Sequence, residues 1–342
     1  MSELKDAGIL VRMAHQGFLN AGIDTSAIYK RCGITRRHIE DRQIRTPHQA
    51  QALFWQAAED VTGDRLIGLH LGEKMPVFGG QVIEYLFLSS PTFEEGLKRA
   101  LNYQRLLSDA VMAHLDLSQN TCRFIIGGTR ESKNLNHLAD AILISALRFF
   151  KNITQEQFEP LKIYIWHRGY DVDHEYSRAF GCPVIFNAPY NAIEFDTRIL
   201  KFRSSHAEPE LMKAHEMLAS EQIARLKKQD IVTKAERIIG EILDSGDVTL
   251  DTVSERMNMT ARSLRSRLGE TGTSFNQILS HYRCNLAKQL LARTNESIDE
   301  IVFLTGFSEP STFYRAFKRW TGQTPVEYRK QKKASHQMEP TC

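Results

Sequence analysis

The last third of the chain writes one pattern twice, and that repetition narrows the possible folds more than any other feature. The first copy is Leu250-Asp251-Thr252-Val253-Ser254-Glu255-Arg256-Met257-Asn258-Met259-Thr260-Ala261-Arg262-Ser263-Leu264-Arg265-Ser266-Arg267-Leu268, and the second runs from Ile298 to Phe317. Matching positions lie 48 apart at Leu250/Ile298, 49 at Leu264/Phe313 and 50 at Gly272/Gly322, a drift that small gaps at a loop produce. Each copy predicts a short helix with an apolar face, Val253 and Met257 or Ile301 and Leu304. A tight turn follows at Asn258 or Gly306, residue types that tolerate positive φ. Thr260 or Ser308 then caps a second helix. That helix is expected to bury Leu264 and Leu268, or Phe313, Phe317 and Trp320. Its other face is left to Arg262, Arg265, Ser266 and Arg267, or to Ser311, Tyr314, Arg315 and Lys318. Pro310 fits the first turn, where a missing N–H is harmless. The pattern is that of a helix-turn-helix, whose second helix can lie in a DNA major groove.

Any αα corner imitates one such motif; two at this spacing are far more restrictive. Between them Phe275 to Arg293 predicts one helix, with Ile278, Leu279, Tyr282, Leu286, Leu290 and Leu291 at helical spacing. A rod of that length spans about 28 Å at about 1.5 Å per residue. One DNA turn is about 34 Å, so the two second helices can enter successive grooves on one face of a duplex. The charge is placed to match. The net charge is +3, yet residues 231–334 carry sixteen Lys and Arg against twelve Asp and Glu, and the rest of the chain is slightly acidic. Arg256 to Arg293 holds seven cations against Glu270 alone, and Arg315 to Lys333 seven against Glu327 alone. Basic islands of this kind attract polyanions, nucleic acid first among them.

At 342 residues, with 42% hydrophobic and 25% charged residues, the chain has the make-up of a globular protein of two domains or three. No run of 18 apolar residues occurs, so no membrane-spanning helix is expected. The polar start, Met1-Ser2-Glu3-Leu4-Lys5-Asp6, lacks the pattern of a secretory signal, which predicts a cytosolic protein. Five scattered cysteines, none in a C-x-x-C pair, argue against a disulfide framework or a zinc knuckle, and Cys342 is expected to be exposed.

Residues 1–72 read as helices, one of them opened by Pro47 with Ala50, Leu53, Phe54, Ala57 and Ala58 on one face. A helix capped at Ser90 or Thr92 is predicted to reach about Asp109. Met112 to Leu117 and Cys122 to Ile126 read as a hairpin, followed by a helix from about Leu135 to Lys151. Leu161 to Trp166, Pro183 to Phe186 and Asn191 to Phe195 read as strands, with a short helix capped by Asp173 before Gly181. The fold class is therefore an α+β N-terminal part followed by an all-α C-terminal part with two helix-turn-helix motifs joined by a linker helix. The expected divisions are 1–205, a connection at 206–230, 231–330, and a polar, frayed tail at 331–342.

Residues 231–330 resemble the DNA-binding domain of the AraC/XylS family of bacterial transcription regulators. The strings that carry the likeness are Ile298-Asp299-Glu300-Ile301, Gly306-Phe307-Ser308, Phe313-Tyr314-Arg315-Ala316-Phe317-Lys318-Arg319 and Thr321-Gly322-Gln323-Thr324-Pro325-Val326-Glu327-Tyr328-Arg329. The first copy departs at Asn258, where a glycine is frequent. Gly22-Ile23-Asp24, Arg45-Thr46-Pro47, Gly68-Leu69-His70-Leu71-Gly72 and Phe180-Gly181-Cys182-Pro183-Val184-Ile185-Phe186 are similar to the branch with an arabinose-binding-like sensory domain, which includes regulators of ornithine use.

The resemblance implies a sequence-specific regulator, an activator rather than a repressor, controlled by a small molecule and forming a homodimer through residues 1–205. Double-stranded promoter DNA and RNA polymerase are the implied partners. Base reading falls to Arg262, Arg265 and Ser266, with Arg267 beside them, and to Ser311 and Arg315, with Pro310 in apolar contact. Lys318 and Arg319 are expected on phosphate. The plain alternative for each is a solvated helix face. Trp166, His167 and Arg168 at a strand end, and with them Phe87 and Tyr103, are weighed as lining of a ligand pocket against edge packing; edge packing is the expectation, and no effector residue is assigned. Two competing functions remain: a ligand-free regulator whose first part only binds proteins, and a DNA-modifying enzyme. The second lacks a P-loop, an H-E-x-x-H motif or a cysteine pair. No cofactor, metal or catalytic residue is expected, and the location is expected to be the bacterial cytoplasm, on the nucleoid.

Overall fold

The computed structural model describes residues 4–128, 135–169, 173–243 and 248–337. They fall into two compact units that divide after Ile223.

The first unit opens with a strand, β1 (Lys5–Ala7), which pairs antiparallel with β2 (Arg45–Pro47). Between them lie α1 (Ile9–Asn20), α2 (Ser26–Cys32) and α3 (Arg36–Glu40). This ribbon corrects the all-helical reading of 1–72. Pro47 closes a strand, and the next helix, α4, spans Ala50–Thr62. Its buried face is Gln51, Phe54, Trp55, Ala57 and Ala58, while Leu53 is exposed. The face is turned because Gln51 reaches inward to a buried carboxylate and Trp55 Nε1 donates to Gln51 Oε1 at 3.1 Å. The Asp6 side chain accepts from Gln51 Nε2 at 2.9 Å and Ser108 Oγ at 2.6 Å, and bonds His48 Nδ1 at 3.0 Å. Arg45 holds the ribbon down, donating to the carbonyl of Lys5 at 2.8 Å and pairing with Asp109 at 3.3 Å.

Helices α5 (Ile67–Lys74), α6 (Val82–Leu88) and α7 (Phe93–Asn102) follow. Thr92 caps α7 by accepting from Glu95 N, but the helix stops at Asn102 and a 3₁₀ turn takes Gln104–Leu106, short of the expected Asp109. The remaining elements are β3 (Val111–Leu117), β4 (Thr121–Gly128), α8 (Asn136–Ile153), β5 (Pro160–Tyr164), α9 (Asp173–Phe180), β6 (Val184–Ile185) and β7 (Asn191–Asp196). The Asp173 side chain expected to cap α9 lies outside the described residues, as does Cys342. The five strands form one sheet in the order β3-β4-β7-β5-β6, antiparallel but for β5/β6. The central strand β7 carries a buried Glu194, held by Arg123 Nε at 2.6 Å and the Tyr164 hydroxyl at 3.1 Å. The opposite face packs under α8, with Phe93, Phe150, Phe158 and Phe195 in ring contacts at 5.0–5.7 Å.

A single helix, α10, runs Pro209–Ile242. In the second unit its last turns are followed by α11 (Leu250–Arg256), α12 (Ala261–Glu270), α13 (Phe275–Arg293), α14 (Ile298–Leu304), α15 (Pro310–Thr321) and α16 (Pro325–Gln337). Helix α16 continues to Gln337, beyond the point where a frayed tail was expected. Two hydrophobic clusters build the unit. One gathers Ile239, Val253, Leu264, Leu268 and Ile278; the other gathers Ala287, Leu291, Ile301, Phe313 and Phe317. Helix α13 supplies residues to both.

Candidate nucleic-acid interface and internal cavity

The first helix-turn-helix is α11 and α12. Thr249 caps α11, accepting from Thr252 N at 3.1 Å, and Thr260 caps α12, accepting from Ser263 N at 3.2 Å. Asn258 sits between them at φ 56°, the left-handed turn its residue type permits. Leu264 and Leu268 are fully buried. Arg262, Arg265 and Ser266 fall three and four residues apart on the exposed face, with Arg267 beside them.

The second motif is α14 and α15. Ser297 caps α14, accepting from Glu300 N at 3.0 Å. Gly306 turns the chain at φ 70°. A Cβ at this glycine would fall 2.8 Å from the Leu243 carbonyl oxygen, so the second turn needs glycine where the first accepts asparagine. The cap of α15 is a correction. Pro310 takes the first helical position, which puts Glu309 and not Ser308 at the cap, with no side-chain bond there. Phe313 and Phe317 are fully buried, while Trp320 is only partly so. Pro310, Ser311, Arg315, Lys318 and Arg319 are all exposed, the last four on one stripe of the helix. Tyr314 is turned halfway into the core.

Not every cation in the basic islands is available. Arg283 donates Nη2 to the Gly306 carbonyl at 2.7 Å and stacks 4.7 Å from the Phe307 ring centroid; burial pulls its pKa down. Arg329 donates to the Glu296 carbonyl at 2.6 Å. Both were counted as island charge, and both hold the fold together. Among the described residues, Arg262, Arg265, Arg267, Arg315, Lys318 and Arg319 make no ion pair.

The first unit contains a cavity of about 440 Å³ that no local motif announces. Its walls come from α1, α4, α6, α7, α8 and the inner face of β3 and β4, so its residues are scattered over more than a hundred positions. Phe87, expected to be edge packing, is buried and lines it; Tyr103, Trp166, His167 and Arg168 do not. His167 is instead a core residue, with Nε2 2.9 Å from the Asp140 carboxylate, which also accepts from the Tyr176 hydroxyl at 2.8 Å. Burial opposes the imidazolium, but the Asp140 bond outweighs it and raises the His167 pKa. Burial pushes the Cys122 and Cys182 thiols up to about 11. Among the described residues no group of His, Cys, Asp and Glu could hold a metal ion, and no helix is long and apolar enough to cross a membrane.

Comparison with known proteins gives two family matches. Residues 22–203 match the arabinose-binding N-terminal domain of AraC transcription regulators, and residues 253–331 a helix-turn-helix domain. The ornithine utilization regulator of Pseudomonas aeruginosa is 26% identical over 80% of this chain and 81% of its own length. The Mycobacterium tuberculosis transcriptional regulator VirS is 28% identical over 48% of each chain. Among solved structures, the Pseudomonas aeruginosa transcriptional regulator CdpR covers 94% of this chain and 98% of its own, at 22% identity and a TM-score of 0.46. With the first match spanning more than half of its residues, the chain belongs to the AraC family of transcription regulators, joining an arabinose-binding-type domain to a helix-turn-helix domain that binds DNA.

Proposed function

We propose that α12 and α15 lie in successive major grooves, with Arg262, Arg265, Ser266, Ser311 and Arg315 reading base edges. Pro310 touches a base methyl group, and Arg267, Lys318 and Arg319 neutralise phosphates. In this reading, residues 1–205 bind the effector and form a homodimer, 206–230 connect and 231–330 bind DNA. The protein is an activator that contacts RNA polymerase in the bacterial cytoplasm, on the nucleoid, and it catalyses no reaction. Raised thiol pKa values at Cys122 and Cys182 speak against a nucleophilic cysteine in the first unit. The cavity favours an effector-controlled regulator over a ligand-free one. The names of the family and of the Pseudomonas relative raise two effector classes, a sugar and an amino acid.

The observation that carries DNA reading is the pair of exposed helix faces whose arginines make no ion pair, each backed by two fully buried side chains. The test is selection of duplexes from a random pool by the wild type and by Arg315→Ala. The variant is expected to bind the selected duplex about 1–3 kcal/mol more weakly and to lose preference at one base position. An equal loss on every sequence would make Arg315 a phosphate contact.

A further inference from the structure

The cavity of the first unit says what kind of molecule it can hold. Its lining contains no lysine or arginine, and its only carboxylate among the described residues is Glu84. That carboxylate is already engaged, accepting from the backbone N–H groups of Gly79, Gly80 and Gln81 at 2.8–3.1 Å. Three further polar groups on the wall are similarly committed. Gln51 donates to Asp6 and accepts from Trp55 Nε1; Gln104 pairs with both backbone groups of Ala113; Ser108 donates to Asp6 and accepts from Ala110 N and Val111 N. Ser145 differs: its hydroxyl meets only the Met75 thioether, at 3.9 Å, which is a weak acceptor. Cys32, His38, Thr46 and Gln81 add partly buried polar side chains to the wall, and the rest of the surface is aliphatic or aromatic.

A sugar placed here would bury more hydroxyls than these few side chains can partner, and a zwitterionic amino acid would bury two charges with no free counter-ion; both are opposed. A hydrocarbon meets no such penalty, because an apolar cavity stays dry and takes an apolar guest. The volume, about 440 Å³, is within the common range of ligand pockets, roughly 300–1,000 Å³. It is also about three times an engineered apolar cavity of about 150 Å³ that binds benzene. We infer that this cavity takes an uncharged, mainly hydrocarbon effector, bound by burial of its apolar surface, with one hydroxyl or carbonyl fixed by Ser145. The inference rests on the reading of the first unit as the effector domain, and it excludes the two effector classes that the names of the relatives suggest.

The test uses the full chain and the neutral fluorophore N-phenyl-1-naphthylamine, which brightens in apolar surroundings. Saturable brightening is expected, reversed by decanol and untouched by L-arabinose or L-ornithine. Ala146→Phe and Ala100→Leu each project new bulk into the cavity and are expected to weaken the fluorophore about tenfold or more; an unchanged thermal unfolding transition of the first unit certifies their fold. Ser145→Ala is expected to weaken decanol several-fold while leaving the fluorophore unchanged. Displacement by arabinose or ornithine and not by decanol would overturn the inference, as would fluorophore binding that both filled variants retain in full. DNA affinity measured with and without decanol separates the two levels. Decanol that fills the cavity but leaves DNA binding unchanged supports the ligand class and sinks the effector reading.

Discussion

Asp6 is 1% exposed, and so is His48, its partner from 42 residues away. Nothing in the sequence joins them, because the pairing exists only once the β1/β2 ribbon forms. An acidic residue near a chain start reads as solvated. The network makes Asp6→Ala costly, since His48, Gln51 and Ser108 lose their acceptor in the interior; about 3 kcal/mol is expected in chemical denaturation at neutral pH. The pH dependence has a definite sign. Burial alone would raise the Asp6 pKa, but bonds from His48, Ser108 and Gln51 bring it below its ordinary 3.8. A depressed carboxyl stabilises above its unfolded value and loses that contribution as pH falls through the folded one. The gap between wild type and Asp6→Ala should therefore narrow as pH drops below about 4. A gap independent of pH would mean that Asp6 is not an ionised acceptor. The exposed faces of α12 and α15 were the legible part, because a helix face can be read from spacing alone.

At the scale of elements, the strings that tied the first unit to its family are now explained by packing. Gly68 and Gly72 lie one turn apart on α5, where it crosses α8. A Cβ on Gly68 would fall 2.2 Å from the His137 carbonyl oxygen and 2.4 Å from its Cα. At Gly72 the closest atom is Cγ2 of the buried Ile144, also at 2.2 Å; it moves only if that stiff side chain shifts, whereas at Gly68 the backbone itself must move. Gly68→Ala is thus expected to lose about 3 kcal/mol in thermal unfolding, the upper part of the overpacking range, and Gly72→Ala clearly less. Equal losses would show that backbone contact is not the cause. Arg45 and Gly181, at φ 69°, likewise serve the ribbon and the end of α9. The same strings were legible as a likeness but carried no hint of the cavity. Its lining draws single residues from many elements, and side chains such as Phe87 read as ordinary core until the helices are placed. In the second unit the helices were legible almost to the residue, since α13 spans the predicted Phe275–Arg293 and local caps mark each end. Ser308 misled because a hydroxyl before a helix is a good cap only when no proline shifts the start.

On the scale of the whole molecule, six of the cations that make no ion pair among the described residues lie exposed on α12 and α15, and the net charge hides them. If about three of them sit on phosphates, the logarithm of DNA affinity should fall with the logarithm of salt at a slope of about −2.7, roughly a fortyfold loss for a fourfold rise. Lys318→Ala should flatten that slope by about one while leaving the selected sequence unchanged. A slope near zero for the wild type would remove the electrostatic basis of the interface. Gross charge overstated the footprint, because Arg283 and Arg329 are spent on carbonyls within the fold.

Helix α13 lends its early turns to one hydrophobic cluster and its later turns to the other. One residue inserted at its middle would rotate everything downstream by about 100°, swinging Ala287 and Leu291 off Phe313 and Phe317. Its length is therefore a phasing device: the two helices proposed to enter the grooves can be altered one side chain at a time, but their common axle tolerates no change of count.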